Sequence, residues 1–284
     1  MQGYPGEAVA LPTNSVTVLR LLGNNPGPMT GPGTNSYLIV GRQCCLLDPG
    51  PADAGMVAAV QQTLAGRSLD YILVTHTHRD HSPGAALLQK ATGAELIGLP
   101  APDAEGQDRS FVPARSWRDG DQLDCGDYRL QLIHTPGHVS NHLCYLLVEE
   151  RLLFTGDHVL QGTTPVILPP DGDMSDYLGS LATLQTLDLA MLAPGHGEVM
   201  HEPQAELARL IAHRLKREAK IVAGLEMLGR TDIDNLVRTV YDDVASHLLP
   251  WARRTLLAHL IKLQRDGRAE QHEQSWQLRP EQHG

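Results

Sequence analysis

Along the first two hundred residues, short apolar runs alternate with polar segments, and their spacing switches between a period near two and one near 3.6. Val16 to Leu22, Tyr37 to Val40 and Cys44 to Asp48 read as the strands of an N-terminal β-meander. Ala54 to Leu64 has helical spacing, and Tyr71-Ile72-Leu73-Val74 reads as a short buried strand. Pro83 opens a helix that runs through Ala91, as proline is well tolerated at an early helical position. Glu95 to Gly98 and Tyr128 to His134 predict two further strands. Leu143 to Val148 and Arg151 to Phe154 predict a hairpin that turns at Glu149-Glu150, and a helix over Tyr177 to Thr186 precedes a last strand at Leu189 to Ala193. Strands interleaved with helices in two halves predict an α/β protein with two sheets packed between helical layers.

After Met200 the pattern becomes helical. Gln204 to Met227 predicts a long helix, and Asp232 to Val240 a shorter one capped by Thr231 or Asp232. Trp251 to Asp266 carries Leu256, Leu257, Leu260, Ile261 and Leu263 at helical spacing. Gly267 ends that helix, and Ala269 to Leu278 predicts a short hairpin, an order that resembles a winged-helix module. The expected organisation is a catalytic domain over 1–200 and a helical, winged-helix-like C-terminal domain over 201–284 that caps the sandwich.

The candidate chemistry sits directly behind the apolar runs. Thr75-His76-Thr77-His78-Arg79-Asp80-His81 follows the Tyr71 strand. Thr135-Pro136-Gly137-His138, Thr155-Gly156-Asp157-His158 and Pro194-Gly195-His196-Gly197 each follow another run. Ligands at strand ends converge on one edge of a sheet, where α/β folds bind what they bind. Imidazoles and carboxylates without cysteine suit zinc, iron or manganese. His158 follows Asp157 directly and on extended backbone faces the other way, so it is expected to support or pack and not to ligate. His142 is expected to orient its loop.

These residues resemble the metallo-β-lactamase superfamily, whose HxHxDH motif stands here as His76 to His81. The resemblance covers about Leu19 to Met200 and implies an αββα sandwich. It further implies that His76, His78 and His138 hold one metal, that Asp80, His81 and His196 hold a second, and that Asp157 bridges them. Two zinc ions are the expected cofactors, with iron or manganese as alternatives. The implied reaction is hydrolysis by a hydroxide between the metals, with Asp80 and Asp157 as catalytic residues. A narrower similarity, to the β-lactamase-like-protein-2 group, rests on Gly23 to Tyr37, on Gly162-Thr163-Thr164 and on the helical C-terminal extension. The best-studied animal member of that group is a mitochondrial endoribonuclease acting on single-stranded RNA. Thr77, where animal sequences carry tryptophan, and the Pro170 to Asp173 stretch depart from that pattern and weigh against the RNA substrate.

Composition narrows the choice of substrate. The formal net charge is −10, which disfavours a polyanionic partner. Basic residues His213, Arg214, Lys216, Arg217 and Lys220 lie on one predicted helix and are expected to form a solvated face. The four cysteines are too few for a disulfide framework and are expected to be reduced packing residues. Met1 to Leu11 shows neither a basic segment nor an apolar core of a secretory signal, and no run is long enough to span a bilayer. A cytoplasmic hydrolase of a small ester, thioester or amide is therefore expected. Single-stranded RNA cleavage and a non-catalytic metal-binding role are the alternatives, and neither a membrane nor duplex DNA is expected as a partner. The Gly/Pro-rich loop from Asn25 to Gly33 is expected to border the cleft.

Overall fold

The computed structural model describes residues 4–280. Met1 to Gly3 of the N-terminal expectation and residues 281–284 of the C-terminal one lie outside it. The first sheet contains, in spatial order, β1 (Ala8–Ala10), β2 (Thr17–Leu22), β3 (Asn35–Val40), β4 (Cys44–Leu47), β5 (Tyr71–Leu73) and β6 (Glu95–Ile97). Its first four strands are an antiparallel meander, whereas β5 and β6 add in parallel. Parallel neighbours need crossovers, and these are α1 (Ala54–Leu64) and α2 (Gly84–Thr92).

The second sheet is built from β7 (Gln122–Asp124), β8 (Arg129–His134), β9 (Leu143–Leu147), β10 (Leu152–Gly156) and β11 (Met191–Pro194), ordered β11-β10-β9-β8-β7. Only β10 and β11 run parallel, joined through α3 (Met174–Gln185).

Side-chain alternation decides what each sheet faces. In β4, Cys45 and Leu47 enter the core between the sheets, and Cys44 and Leu46 face α1 and α2. All four are buried because both faces of the sheet are covered. Across from them, Leu132, Tyr145 and Phe154 of the second sheet fill the inter-sheet core, while Ile133, Cys144 and Leu153 face α3. The result is the αββα layering expected from the sequence.

The C-terminal part begins with α4 (Pro203–Leu228), followed by β12 (Thr231–Asp232), α5 (Ile233–Val240), α6 (Leu249–Arg265), β13 (Ala269–His272) and β14 (Ser275–Leu278). The last three strands form a small sheet ordered β12-β14-β13. Asp232 caps α5 by accepting from the Asn235 N–H. Leu207 and Leu210 of α4 and Ala258 of α6 join the core beneath the second sheet. Ile221, Leu236, Leu256, Leu260 and Trp276 form a separate core among the C-terminal elements.

The predicted solvated basic face is corrected here. Arg214 and Arg217 are 3% and 9% exposed. Arg217 donates to both Asp243 carboxylate oxygens at 2.9 and 3.0 Å and lies 4.2 Å from the centre of the Tyr241 ring. The next residue, Glu218, is buried and receives Lys262 Nζ and Arg268 Nη1, each at 3.0 Å. Burial pushes its carboxyl up, but His259, 3.8 Å away, and Lys262 outweigh this and hold it at about 2. A depressed carboxylate stabilises the fold above its unfolded value and loses that contribution as pH falls toward its folded value. Glu218→Gln is therefore expected to lower stability at neutral pH by about 2 kcal/mol. The gap between variant and parent should close between about pH 4.5 and pH 2, as measured by denaturant melts across that range.

The four cysteines are free and buried. No helix among the described residues is long and apolar enough to cross a membrane.

Candidate metal centre

Every residue of the expected ligand set lies behind a strand at one edge of the sandwich. His76, His78, Asp80 and His81 follow β5, His138 follows β8, Asp157 follows β10 and His196 follows β11. Two sets result: His76, His78 and His138; and Asp80, His81, Asp157 and His196. Within each set, one ligand atom per residue lies within 4.8 Å of the others.

In the first set, His76 Nε2 and His138 Nε2 lie 3.0 and 3.1 Å from His78 Nδ1. In the second set, Asp157 Oδ1 is 3.3 Å from His81 Nε2 and 3.4 Å from His196 Nε2, and Asp80 Oδ2 is 3.3 Å from His196 Nε2. Tetrahedral ligands bound at about 2.0–2.1 Å stand about 3.3 Å apart, and these separations, with His81 Nε2 to Asp80 Oδ2 at 3.8 Å, lie around that value. The other Asp157 oxygen, Oδ2, is 3.8 Å from His138 Nε2. One carboxylate thus faces both sets.

Among the described residues, the buried His81 Nε2, His196 Nε2 and Asp157 Oδ1 have no hydrogen-bond partner. Unpaired buried polar atoms are costly. Three of them converging on one point fit a cation bound there.

The far nitrogens of four of the five rings are anchored. Thr75 Oγ1 donates to Asp48 Oδ2 at 2.7 Å, so it can only accept from His76 Nδ1, 3.0 Å away. That fixes the tautomer and leaves the His76 Nε2 lone pair facing the first set. His81 Nδ1 meets Asp48 Oδ2 at 2.9 Å, His138 Nδ1 donates to the Val166 carbonyl at 2.7 Å, and His196 Nδ1 donates to the Gly33 carbonyl at 3.2 Å. Through Gly33, the end of the Gly/Pro-rich loop is part of the site's wall, as expected.

Glycine is required where the backbone passes closest. A Cβ at Gly195 would sit 2.7 Å from His81 Cε1 and 2.8 Å from Asp157 Oδ1. At Gly156, where φ is +46°, it would meet Thr75 Oγ1 at 2.5 Å and His142 Nε2 at 2.8 Å.

Electrostatics separates the two sets. Burial, reinforced by neighbouring imidazoles, keeps His76 far below the usual histidine range, and burial with His138 beside it holds His78 at about 3. Both are neutral and can offer lone pairs. Burial also works against charge on His81 and His196, but there the carboxylates of Asp157 and Asp80 prevail and push both upward. Burial raises Asp80, yet His81 and His196 pull it down to about 2. The second set is therefore an ion-paired cluster in which a dication would replace protons.

Two supporting residues, Asp48 and Asn35, are not apparent from sequence, and a third, His142, is expected there only to orient its loop. The sequence pattern extends the strand to Asp48, but β4 ends at Leu47 and Asp48 turns away with φ at +47°. Its carboxylate accepts from the Thr75 N–H and hydroxyl, both at 2.7 Å, and faces His81. The signal available was an Asp-Pro-Gly turn directly behind a strand at the ligand edge. His142, read as loop-orienting, accepts from the Asp157 N–H through Nε2 at 3.2 Å, so Nδ1 donates to Thr135 Oγ1 at 2.9 Å. Asn35 binds the Pro194 and Gly197 carbonyls at 3.0 and 2.8 Å, fixing the turn that carries His196.

His158 belongs to neither set. It is fully buried, its ring 4.8 Å from Tyr177 and 5.6 Å from His142, and burial holds it at about 3. Thr77 is also fully buried. Its hydroxyl donates to Gln107 Oε1 at 2.6 Å and accepts from Asn141 Nδ2 at 2.8 Å, joining two loops beside His78.

Comparison with known proteins agrees with this geometry. Residues 29–196 match the model of the metallo-beta-lactamase superfamily, and residues 233–276 match that of the beta-lactamase associated winged helix domain. A beta-lactamase-like protein 2 homolog of Caenorhabditis elegans is 33% identical over 258 residues, covering 88% of this chain and 83% of that protein. An atrochrysone carboxyl ACP thioesterase of Passalora fulva is 32% identical over 217 residues, 73% of this chain and 61% of that protein. In fold, the chain is similar to a beta-lactamase domain protein of Burkholderia ambifaria, with a TM-score of 0.79 at 19% identity over 98% of this chain and 95% of that one.

Proposed function

The chain belongs to the metallo-β-lactamase superfamily and is a metal-dependent hydrolase, and on that premise we propose that it cleaves a small acyl substrate, a thioester before an ester or amide. The observation that carries this reading is Asp157, whose two oxygens face the two ligand sets. In this reading His76, His78 and His138 hold one zinc, Asp80, His81 and His196 hold the other, and Asp157 is shared. A dinuclear zinc centre supplies an activated water at neutral pH and polarises the scissile carbonyl.

The chain's own residues do the rest. Asp48, Thr75, Val166 and Gly33 hold the rings of His81, His76, His138 and His196 in place, each through the nitrogen that faces away from the ligand sets. The carboxylates of Asp80 and Asp157 stay ionised, as both lie below the usual carboxylate range. Asp80, at the more open side of the second set, is placed to orient the attacking water. Thioester chemistry is favoured by the thioesterase relative and by the net charge of −10, which disfavours RNA.

The division of the chain near residue 200 into a catalytic and a capping domain belongs to the same proposal, as does a cytoplasmic location suited to the four reduced thiols. The acidic Glu270 and Glu273 on the β13–β14 hairpin weigh against duplex DNA as a partner.

The test is a panel of acyl thioesters, lactones, β-lactams and single-stranded RNA given to zinc-loaded protein, with duplex-DNA titrations at two salt concentrations. Chelator-sensitive thioester turnover well above the other substrates is expected, with no submicromolar duplex binding. Metal-dependent RNA cleavage without acyl turnover would replace this reading with the nuclease one.

A further inference from the structure

We propose that Arg214, in the C-terminal helix α4, is a positioning residue for the first metal set and acts through the loop that orients His138. The inference rests on the reading of His138 as a metal ligand. His138 Nδ1 donates to the Val166 carbonyl at 2.7 Å. The carbonyl one residue earlier, Pro165, accepts a hydrogen bond from Arg214 Nη2. Arg214 is 3% exposed, and its guanidinium lies 5.3 Å from the centre of the Tyr177 ring. Among the described residues it faces no carboxylate, and its Nε has no hydrogen-bond partner. Burying a cation against one carbonyl and one aromatic ring is costly for the fold. Packing alone would be served as well by an aliphatic side chain, so what the cation adds is the hydrogen bond to Pro165 and the contact with the Tyr177 ring.

Two further contacts tie the same C-terminal segment to the surroundings of His138. Arg209 Nη2 lies 3.4 Å from the Thr163 carbonyl. Arg265, at the end of α6, pairs with Asp173, whose N–H donates to the Gly137 carbonyl at 2.9 Å. Gly137 precedes His138 and packs directly on Tyr177, where a Cβ would stand 2.3 Å from the Tyr177 Cα. The segment therefore grips both flanks of His138, at 163–166 and at 137. The second ligand set has different anchors, Asp48 for His81 and Gly33 for His196. Loosening the C-terminal grip should affect one metal and spare the other.

The experiment titrates full-length protein with zinc against a chromophoric chelator, and records cobalt absorption on the same samples. Arg214→Met keeps the stem packed on Tyr177 but removes the donor. It is expected to weaken one of the two zinc steps about tenfold and to alter the cobalt spectrum of that step only. Arg214→Lys, which restores a donor, should recover part of the loss. Asp80→Asn identifies the other step by weakening it instead. Two wild-type steps in a folded Arg214→Met protein would overturn the inference. Should that variant fail to fold, the exposed Arg265→Gln decides, with a weaker loss in the same step expected and unchanged affinities overturning the proposal. If wild-type protein shows fewer than two zinc steps, the dinuclear reading itself fails.

Discussion

Asp157→Ala is expected to lower turnover about a thousandfold or more and to cost the protein at least one metal, with the fold retained. Asp157 is the carboxylate that faces both ligand sets, with Oδ1 at 3.3–3.4 Å from His81 and His196 and Oδ2 toward His138. Its loss leaves the second set one carboxylate, Asp80, to balance a dication. The backbone at this position is held independently by the His142 ring, so the turn should keep its course. His158→Ala gives the contrast. That side chain is buried against Tyr177 and His142 and faces away from the metal sets, so its removal should cost about 2 kcal/mol of stability and only a few-fold in turnover. Paired turnover and melting measurements on the two variants decide it. Equal turnover losses in both would show that the separation of faces is wrong.

The second large effect is expected at Asp48. Its carboxylate accepts from the Thr75 N–H, the Thr75 hydroxyl and His81 Nδ1. Asp48→Ala leaves those buried donors without a partner, at a cost of about 2–3 kcal/mol, and frees His81 to rotate. Metal affinity should fall by about ten- to a hundredfold, as for other partners that orient a ligating histidine. Asp48→Asn separates the two effects. Its oxygen can still serve the Thr75 N–H, while its amide turned toward His81 would make Nδ1 the acceptor and put the proton on Nε2, the nitrogen that faces the second set. Near-normal melting with strongly reduced zinc affinity is the expected result. An Asn variant that binds zinc like the parent would remove Asp48 from the metal centre's support.

The meeting of the seven candidate ligands was legible because each one or its motif follows an apolar run, and strand ends at one edge of a sandwich converge. The layering was legible for the same reason, since β4 and β10 are apolar at every or nearly every position and so must be covered on both faces. What sequence hid were side chains whose role depends on distant partners. Asp48 reads as the last residue of a strand until β5 is placed beside β4. Arg214 and Arg217 look like a solvated face, because a helix's charge pattern does not reveal which arginines lie beneath a loop. The strands β1 and β7 are short edge strands, mostly exposed, and so carry no apolar run to mark them. Helix α3 starts three residues before its predicted start because Asp173 caps it, accepting from the Ser175 and Asp176 N–H groups.

The central claim is that two metal ions share Asp157, and elemental analysis of zinc-reconstituted, dialysed protein tests it most directly. The account predicts about two zinc ions per chain, removed together with activity by a chelator. One zinc per chain with full activity, or none at all, would contradict it.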